Sequence, residues 1–173
     1  MLQKAKGLSL IELMIVLSIA AILATIGVPA FAGLLAESRI TAKSNLLMAH
    51  IQYARHSAVK LQTQVVACPS VDQFHCSGNR WDQGWIIFVD RNNNRRPDTA
   101  ADVLRVVGPD ASLLMHSGGR YRVRFQPGGG AFGTNLTIRV CDPSGRAMPR
   151  AVVVSNPGRA RVSRDVAPSD CVI

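Results

Sequence analysis

Hydrophobic and polar positions divide the chain into three stretches. From Leu8 to Phe31 the residues are mostly apolar; the one acid, Glu12, sits near the start, and no charge follows from Leu13 to Ala36. Roughly 20 apolar residues suffice to cross a bilayer, so a membrane-spanning helix is predicted here. Ile40, Leu47, Ile51, Ala54, Ala58 and Leu61 then recur at helical intervals, with Glu37, Arg39, Lys43, Arg55 and Lys60 between them. That pattern predicts an amphipathic continuation of the same helix. A helix from Leu8 to about Gln62 would be about 80 Å long, and Pro29 can kink or locally melt it. Past Gln62 the period changes to two. Strands are expected at Gln64–Cys68, Trp85–Val89, Val103–Val107, Tyr121–Gln126, Asn135–Cys141, Arg150–Ser155 and Arg159–Ser163. Arg91–Pro97, Pro127–Gly130 and Asn156–Gly158 break them. Short strands at regular spacing argue against βαβ units. The fold class is therefore α+β: a long N-terminal helix packed on a C-terminal antiparallel β-sandwich.

Glu12 inside hydrocarbon costs several kcal/mol unless it is partnered, so it is a functional residue by default. The apolar run is too long for a secretory signal and no small-x-small site closes it. Lys4-Ala-Lys6-Gly7 followed by Leu8-Ser-Leu-Ile-Glu12-Leu-Met resembles the class III signal of type IV pilins and type II secretion pseudopilins. The resemblance implies cleavage after Gly7 by a prepilin peptidase and methylation of the new amine on Leu8. It also implies pairing of Glu12 with the N-terminus of a neighbouring subunit. Phenylalanine is usual in the family where this chain has Leu8. The domains expected are a leader at 1–7, a membrane and filament-core helix at 8–36, an amphipathic helix at 37–62 and a β-domain at 63–173. Tyr53-Ala-Arg55-His-Ser-Ala58-Val-Lys60 and Trp81-Asp-x-Gly84-Trp85-x-x-Phe88-x-Asp90 further resemble the FimT/GspH group of minor pilins and pseudopilins.

Charge sets the orientation. Lysines ahead of the apolar run stay cytoplasmic, which places the rest of the chain in an oxidising periplasm. The expected location is the inner membrane, single-pass, and a pilus filament after assembly. Four cysteines allow three pairings; Cys68 with Cys76 would close a small loop, and Cys141 with Cys171 would pin the tail to a strand. Zinc is disfavoured because no close Cys-x-x-Cys pair exists. Net charge is +9; without Lys4 and Lys6, 18 basic and 11 acidic residues leave +7. Arginine supplies 16 of the 20 basic side chains, which favours bidentate contact with phosphate or carboxylate.

Candidate chemistry is sparse. Asp90-Arg-Asn92-Asn-Asn94 begins like a calcium loop, with Asp98 and Asp102 downstream, yet Arg95 stands where glycine is required and Arg91, Arg95 and Arg96 repel a dication. It reads as an Asx turn. His50, His56, His75 and His116 have no metal-binding interval, and Pro127-Gly128-Gly129-Gly130 reads as a flexible hairpin tip. With no nucleophile–base constellation, the chain reads as a non-enzyme without cofactors. Arg120, Arg122 and Arg124 alternate with Tyr121, Val123 and Phe125, and guard an apolar strand or widen a basic patch.

Gly158-Arg159-Ala160-Arg161 is the strongest signal in the β-domain. Alternate side chains on a strand lie roughly 7 Å apart on one face, a spacing comparable to neighbouring phosphates of one nucleic-acid strand. The segment resembles the GRxR motif of FimT-type minor pilins, which bind DNA in natural transformation. Gly158, after Asn156-Pro157, would let the chain turn tightly, and a Cys141–Cys171 bond would make the tail a fixed platform for the pair. The resemblance implies phosphate contact by Arg159 and Arg161, and we expect support from Arg146, Arg150 and Arg164. The expected partners are double-stranded DNA, other major and minor pilins, prepilin peptidase and the inner membrane. Two other roles remain open: a structural or priming minor pilin that never touches DNA, and a type II secretion pseudopilin.

Overall fold

The computed structural model describes residues 9–171, so the leader expected at 1–7, with Gly7, and the expected methylation position Leu8 lie outside the described residues. The helix α1 spans Leu10–Leu61, 52 residues without interruption at Pro29. Ser9 caps it, accepting a hydrogen bond from the Glu12 N–H at 3.2 Å. Gln62 ends it in the left-handed region at φ 50°, its N–H donating to Ala58 O.

The two halves of α1 differ in what covers them. Mean hydropathy in its first half reaches 2.5, with none of that window buried. From Ala36 onward one stripe is buried: Ala36, Ile40, Ser44, Leu47, Ile51, Ala54, Ser57 and Ala58. These residues recur every three or four positions, the interval that returns to one helix face. Leu61 departs from the expected stripe; at the last helical position it is 46 % exposed.

Eight strands follow, all antiparallel. They are β1 (Gln64–Pro69), β2 (Trp85–Asp90), β3 (Val103–Val107), β4 (Leu114–Ser117), β5 (Val123–Phe125), β6 (Leu136–Cys141), β7 (Arg150–Val154) and β8 (Ala160–Ser163). One sheet runs β3-β2-β1-β5, the other β4-β6-β7-β8. Seven of the eight were expected. The eighth, β4, is Leu-Met-His-Ser, which has neither β-branched residues nor alternation to announce it. Their inner faces share one core with α1, built from Ile40, Leu47, Ile51, Trp81, Trp85, Phe125, Ile138 and Val152 among others.

β1 and β2 are buried on both faces. Their outward residues Val66, Cys68, Ile86 and Phe88 form a second apolar cluster against Cys76 and Val103. The Cys68–Cys76 disulfide, with Cα atoms 5.5 Å apart, holds the covering loop in place. The Trp81–Trp85 segment joins the layers. Trp81 Nε1 donates to Ser117 Oγ at 3.2 Å, and buried Asp82 accepts from both Arg80 and the Met115 N–H. Gly84 between the tryptophans has φ 107°, and a Cβ there would fall 2.6 Å from Val107 O.

Cys141 and Cys171 are bonded, with Cα atoms 5.8 Å apart. His116 Nε2 at 3.1 Å from Asp170 O adds a second tie for the tail beside β6.

Candidate nucleic-acid interface

The turn between β7 and β8 presents Arg159 and Arg161. Its residues leave β7 at Ser155, whose carbonyl accepts from the Gly158 N–H at 2.8 Å; Ser155 N–H in turn donates to Arg159 O at 3.0 Å. Gly158 has φ 81°, a conformation that costs other residues strain. It is buried as well: a Cβ at that position would fall 2.0 Å from Gly129 O and 3.3 Å from Arg55 Nε. The hairpin therefore abuts a second loop. Ala131 N–H donates to Asn156 O at 2.8 Å, and Arg55 Nε donates to Gly129 O at 3.0 Å. Helix, 127–131 loop and hairpin are locked at one point.

Two expectations change as a result. Pro127–Gly130 is no flexible hairpin tip: Gly129 and Gly130 are buried, and the loop crosses from β5 in one sheet to β6 in the other. The C-terminal disulfide does not hold the arginine pair; the Gly158 turn does.

Ala160 and Val162 pack against the core, so Arg161 between them points outward from β8, the edge strand of its sheet. Arg159 and Arg161 are both exposed, and neither forms an ion pair among the described residues. Arg159 also lines a cleft of about 550 Å³ between hairpin and helix with Gln52, Arg55 and His56. Sequence reasoning did not assign Arg55 to this site; its helical position gave no hint that it meets a loop 74 residues away.

The supporting arginines do not assemble there. Ala151 pairs with Ser163 and Val154 with Ala160, so Arg164 lies at the opposite end of β8 from Arg159. Five residue steps along the strand separate them by about 16 Å. Arg146, exposed in the β6–β7 connection, is at that far end too, where its carbonyl faces Gly33 of α1. Arg150 is corrected outright. It is 8 % exposed and its guanidinium pairs with Glu37 on the helix, so it clips β7 to α1 instead of facing solvent. A guanidinium with that little exposure stays only where a carboxylate meets it.

The Asp90–Asp98 loop is closed by its own side chains. Arg95 N–H donates to Asp90 Oδ2, Arg96 N–H to Asn94 Oδ1, and the Asn92 and Asn94 amides donate to Asp98. Arg95 takes φ 65° at the position where glycine was missed. Among the described residues no three His, Cys, Asp or Glu side chains converge as a metal site.

Residues 43–158 match the profile described as type II transport protein GspH. The chain belongs to the GspH family. Residues 2–28 match the prokaryotic N-terminal methylation motif, which spans Gly7, Leu8 and Glu12. Two crystal forms of the type IV minor pilin FimU from Pseudomonas aeruginosa PAO1 share the fold. The first has TM-score 0.60 and 19 % identity over 78 % of this chain and 96 % of that one. The second has TM-score 0.58 and 22 % identity over 76 % and 99 %. No curated protein matches. This GspH-family chain thus combines the methylation motif and apolar helix of pilins and pseudopilins, which equip it for prepilin-peptidase processing and for assembly with other pilins.

Proposed function

We propose that the protein is a minor type IV pilin that binds incoming double-stranded DNA without sequence preference. In this reading the leader at 1–7 is removed after Gly7 in the inner membrane, Leu8 is methylated, and Glu12 pairs with a neighbouring subunit's amine. A carboxylate in an apolar helix bundle needs such a cation. The β-domain then lies on the periplasmic side, and Arg159 and Arg161 contact phosphates while filament retraction draws the DNA inward.

One observation carries the proposal: two exposed arginines, free of carboxylate partners among the described residues, stand on a hairpin that Gly158 locks against α1. A preordered cationic edge loses little entropy on binding. Phosphate contacts position a protein on a duplex without reading bases, which suits uptake of any sequence. The test is gel retardation of a mixed-sequence duplex by the full-length protein in detergent. Arg159→Ala/Arg161→Ala should abolish retardation at moderate salt, whereas Arg146→Ala, at the far end of the sheet, should keep it. Retardation that survives the double substitution counts against the site.

A second reading has support from the matched profile, whose description is of type II transport. There the chain is a pseudopilin and the hairpin meets an exported protein. Wild-type protein that never retards DNA would favour it.

A further inference from the structure

Arginines also gather on the outer face of the β3-β2-β1-β5 sheet, away from the β7–β8 hairpin. Val123 and Phe125 of β5 point into the core, so Arg124 between them, paired with Val66 on β1, points out. Arg120 and Arg122 precede it with the same parity, and Arg95 arrives from the β2–β3 loop. With Tyr121 and Thr134 they line a cavity of about 260 Å³. An adjoining cleft shares Arg95, Tyr121 and Arg122 and adds Arg96 and His75.

These guanidinium groups are held but not neutralised. Arg120 Nη1 donates to Asn135 Oδ1 at 2.8 Å. Arg122 lies 4.6 Å from the Tyr121 ring centroid and donates to its hydroxyl at 2.5 Å. Thr134 Oγ1 accepts from the Arg124 N–H at 3.0 Å, which fixes that strand position. None of Arg95, Arg96, Arg120, Arg122 and Arg124 forms an ion pair among the described residues, whereas Arg80, Arg91, Arg139 and Arg150 all do. The strands put one carboxylate on this face, Asp90, which is 1 % exposed; its Oδ2 takes the Arg95 N–H, and its Oδ1 has no hydrogen-bond partner. In the flanking loops Asp72 is bonded to His75, and Asp98 to Asn92 and Asn94. Positive charge exceeds negative around a concave space.

We propose that this cavity binds a phosphomonoester dianion. Guanidinium forks present paired donors matched to phosphate oxygens, and here they line one cavity from two segments, the β2–β3 loop and residues 120–124. A monoester offers three terminal oxygens and leaves through the mouth by a single ester arm. A backbone diester carries one charge and needs two exits, so it fits an open edge such as β8 better than a cavity. A carboxylate brings two oxygens and one charge. The group can be free phosphate, the 5′ end of a DNA strand or a phosphorylated lipid headgroup.

The test is calorimetric titration of the full-length protein in detergent with inorganic phosphate at fixed ionic strength. Wild type is compared with Arg95→Asn/Arg120→Gln. Both positions are exposed, and asparagine tolerates the positive φ of Arg95, so a thermal melt should show an intact fold. Saturable binding is expected, about tenfold weaker in the variant as charged hydrogen bonds are lost. Phosphate should raise the melting temperature of wild type and not of the variant. Competition then identifies the source: a 5′-phosphorylated against a 5′-hydroxyl thymidine oligonucleotide, and phosphatidic acid against phosphatidylglycerol micelles. Equal affinity in wild type and variant, or acetate competing as well as phosphate, overturns the proposal. Arg159→Ala/Arg161→Ala should bind phosphate normally, so this result and the DNA result can fail separately.

Discussion

Gly158 makes the plainest residue-scale case. Its positive φ and its contact with the Gly129 carbonyl leave no room for a methyl group. Gly158→Ala should lower unfolding free energy by about 2–3 kcal/mol, read from the denaturant midpoint; a loss within about 0.5 kcal/mol, the range of an ordinary surface change, would show that the hairpin does not depend on this junction. Asn156-Pro157-Gly158 marked this glycine from sequence, but only as a turn former. Its role as a packing face needed the 127–131 loop to be placed, and nothing in Pro-Gly-Gly-Gly says what it packs on. Arg150 shows the opposite failure. In sequence it is one more arginine near a basic motif; its partner Glu37 lies 113 positions away, a separation no local pattern reports.

Between elements, polar clips fasten α1 to the sheets. Lys43 Nζ lies 2.7 Å from Asp110 Oδ2 in the β3–β4 connection. The Lys43 ammonium, aided by Ser112, lowers the Asp110 carboxyl to about 2. A depressed carboxylate contributes stability that is complete above its unfolded value near 4 and is lost as pH falls towards 2. Wild type should therefore lose about 1 kcal/mol more than Asp110→Asn across that window, the figure being reduced for solvent screening. Parallel acid-unfolding curves for the two proteins would refute the clip. The Cys141–Cys171 bond closes a 30-residue segment, and its removal in Cys141→Ser/Cys171→Ser should cost about 2–4 kcal/mol. DNA retardation by that variant should persist, since the arginine pair hangs on the Gly158 turn. Retardation lost together with the disulfide, in a protein that still melts cooperatively, would move the support to the tail.

For the whole molecule, the sequence made the architecture legible where periodicity is strong. The uncharged run, the stripe from Ile40 to Ala58 and the alternating strands all follow from which face must be dry. β4 was invisible because Leu114, Met115 and His116 suit several conformations, and tertiary pairing with β6 decides among them. Of the candidate site, the exposure of Arg159 and Arg161 on one strand edge was legible; that Arg146 and Arg164 sit at the other end and that Arg150 is internal was not. On the proposed reading, that separation leaves Arg159 and Arg161 as the main charge term of a duplex contact, two phosphates per subunit. The most direct measurement is therefore the salt dependence of duplex affinity for the full-length protein and its Arg159→Ala/Arg161→Ala variant. Two lost phosphate contacts predict a slope of log affinity against log salt shallower by about 1.8. An unchanged slope would mean that the duplex is held elsewhere on the protein.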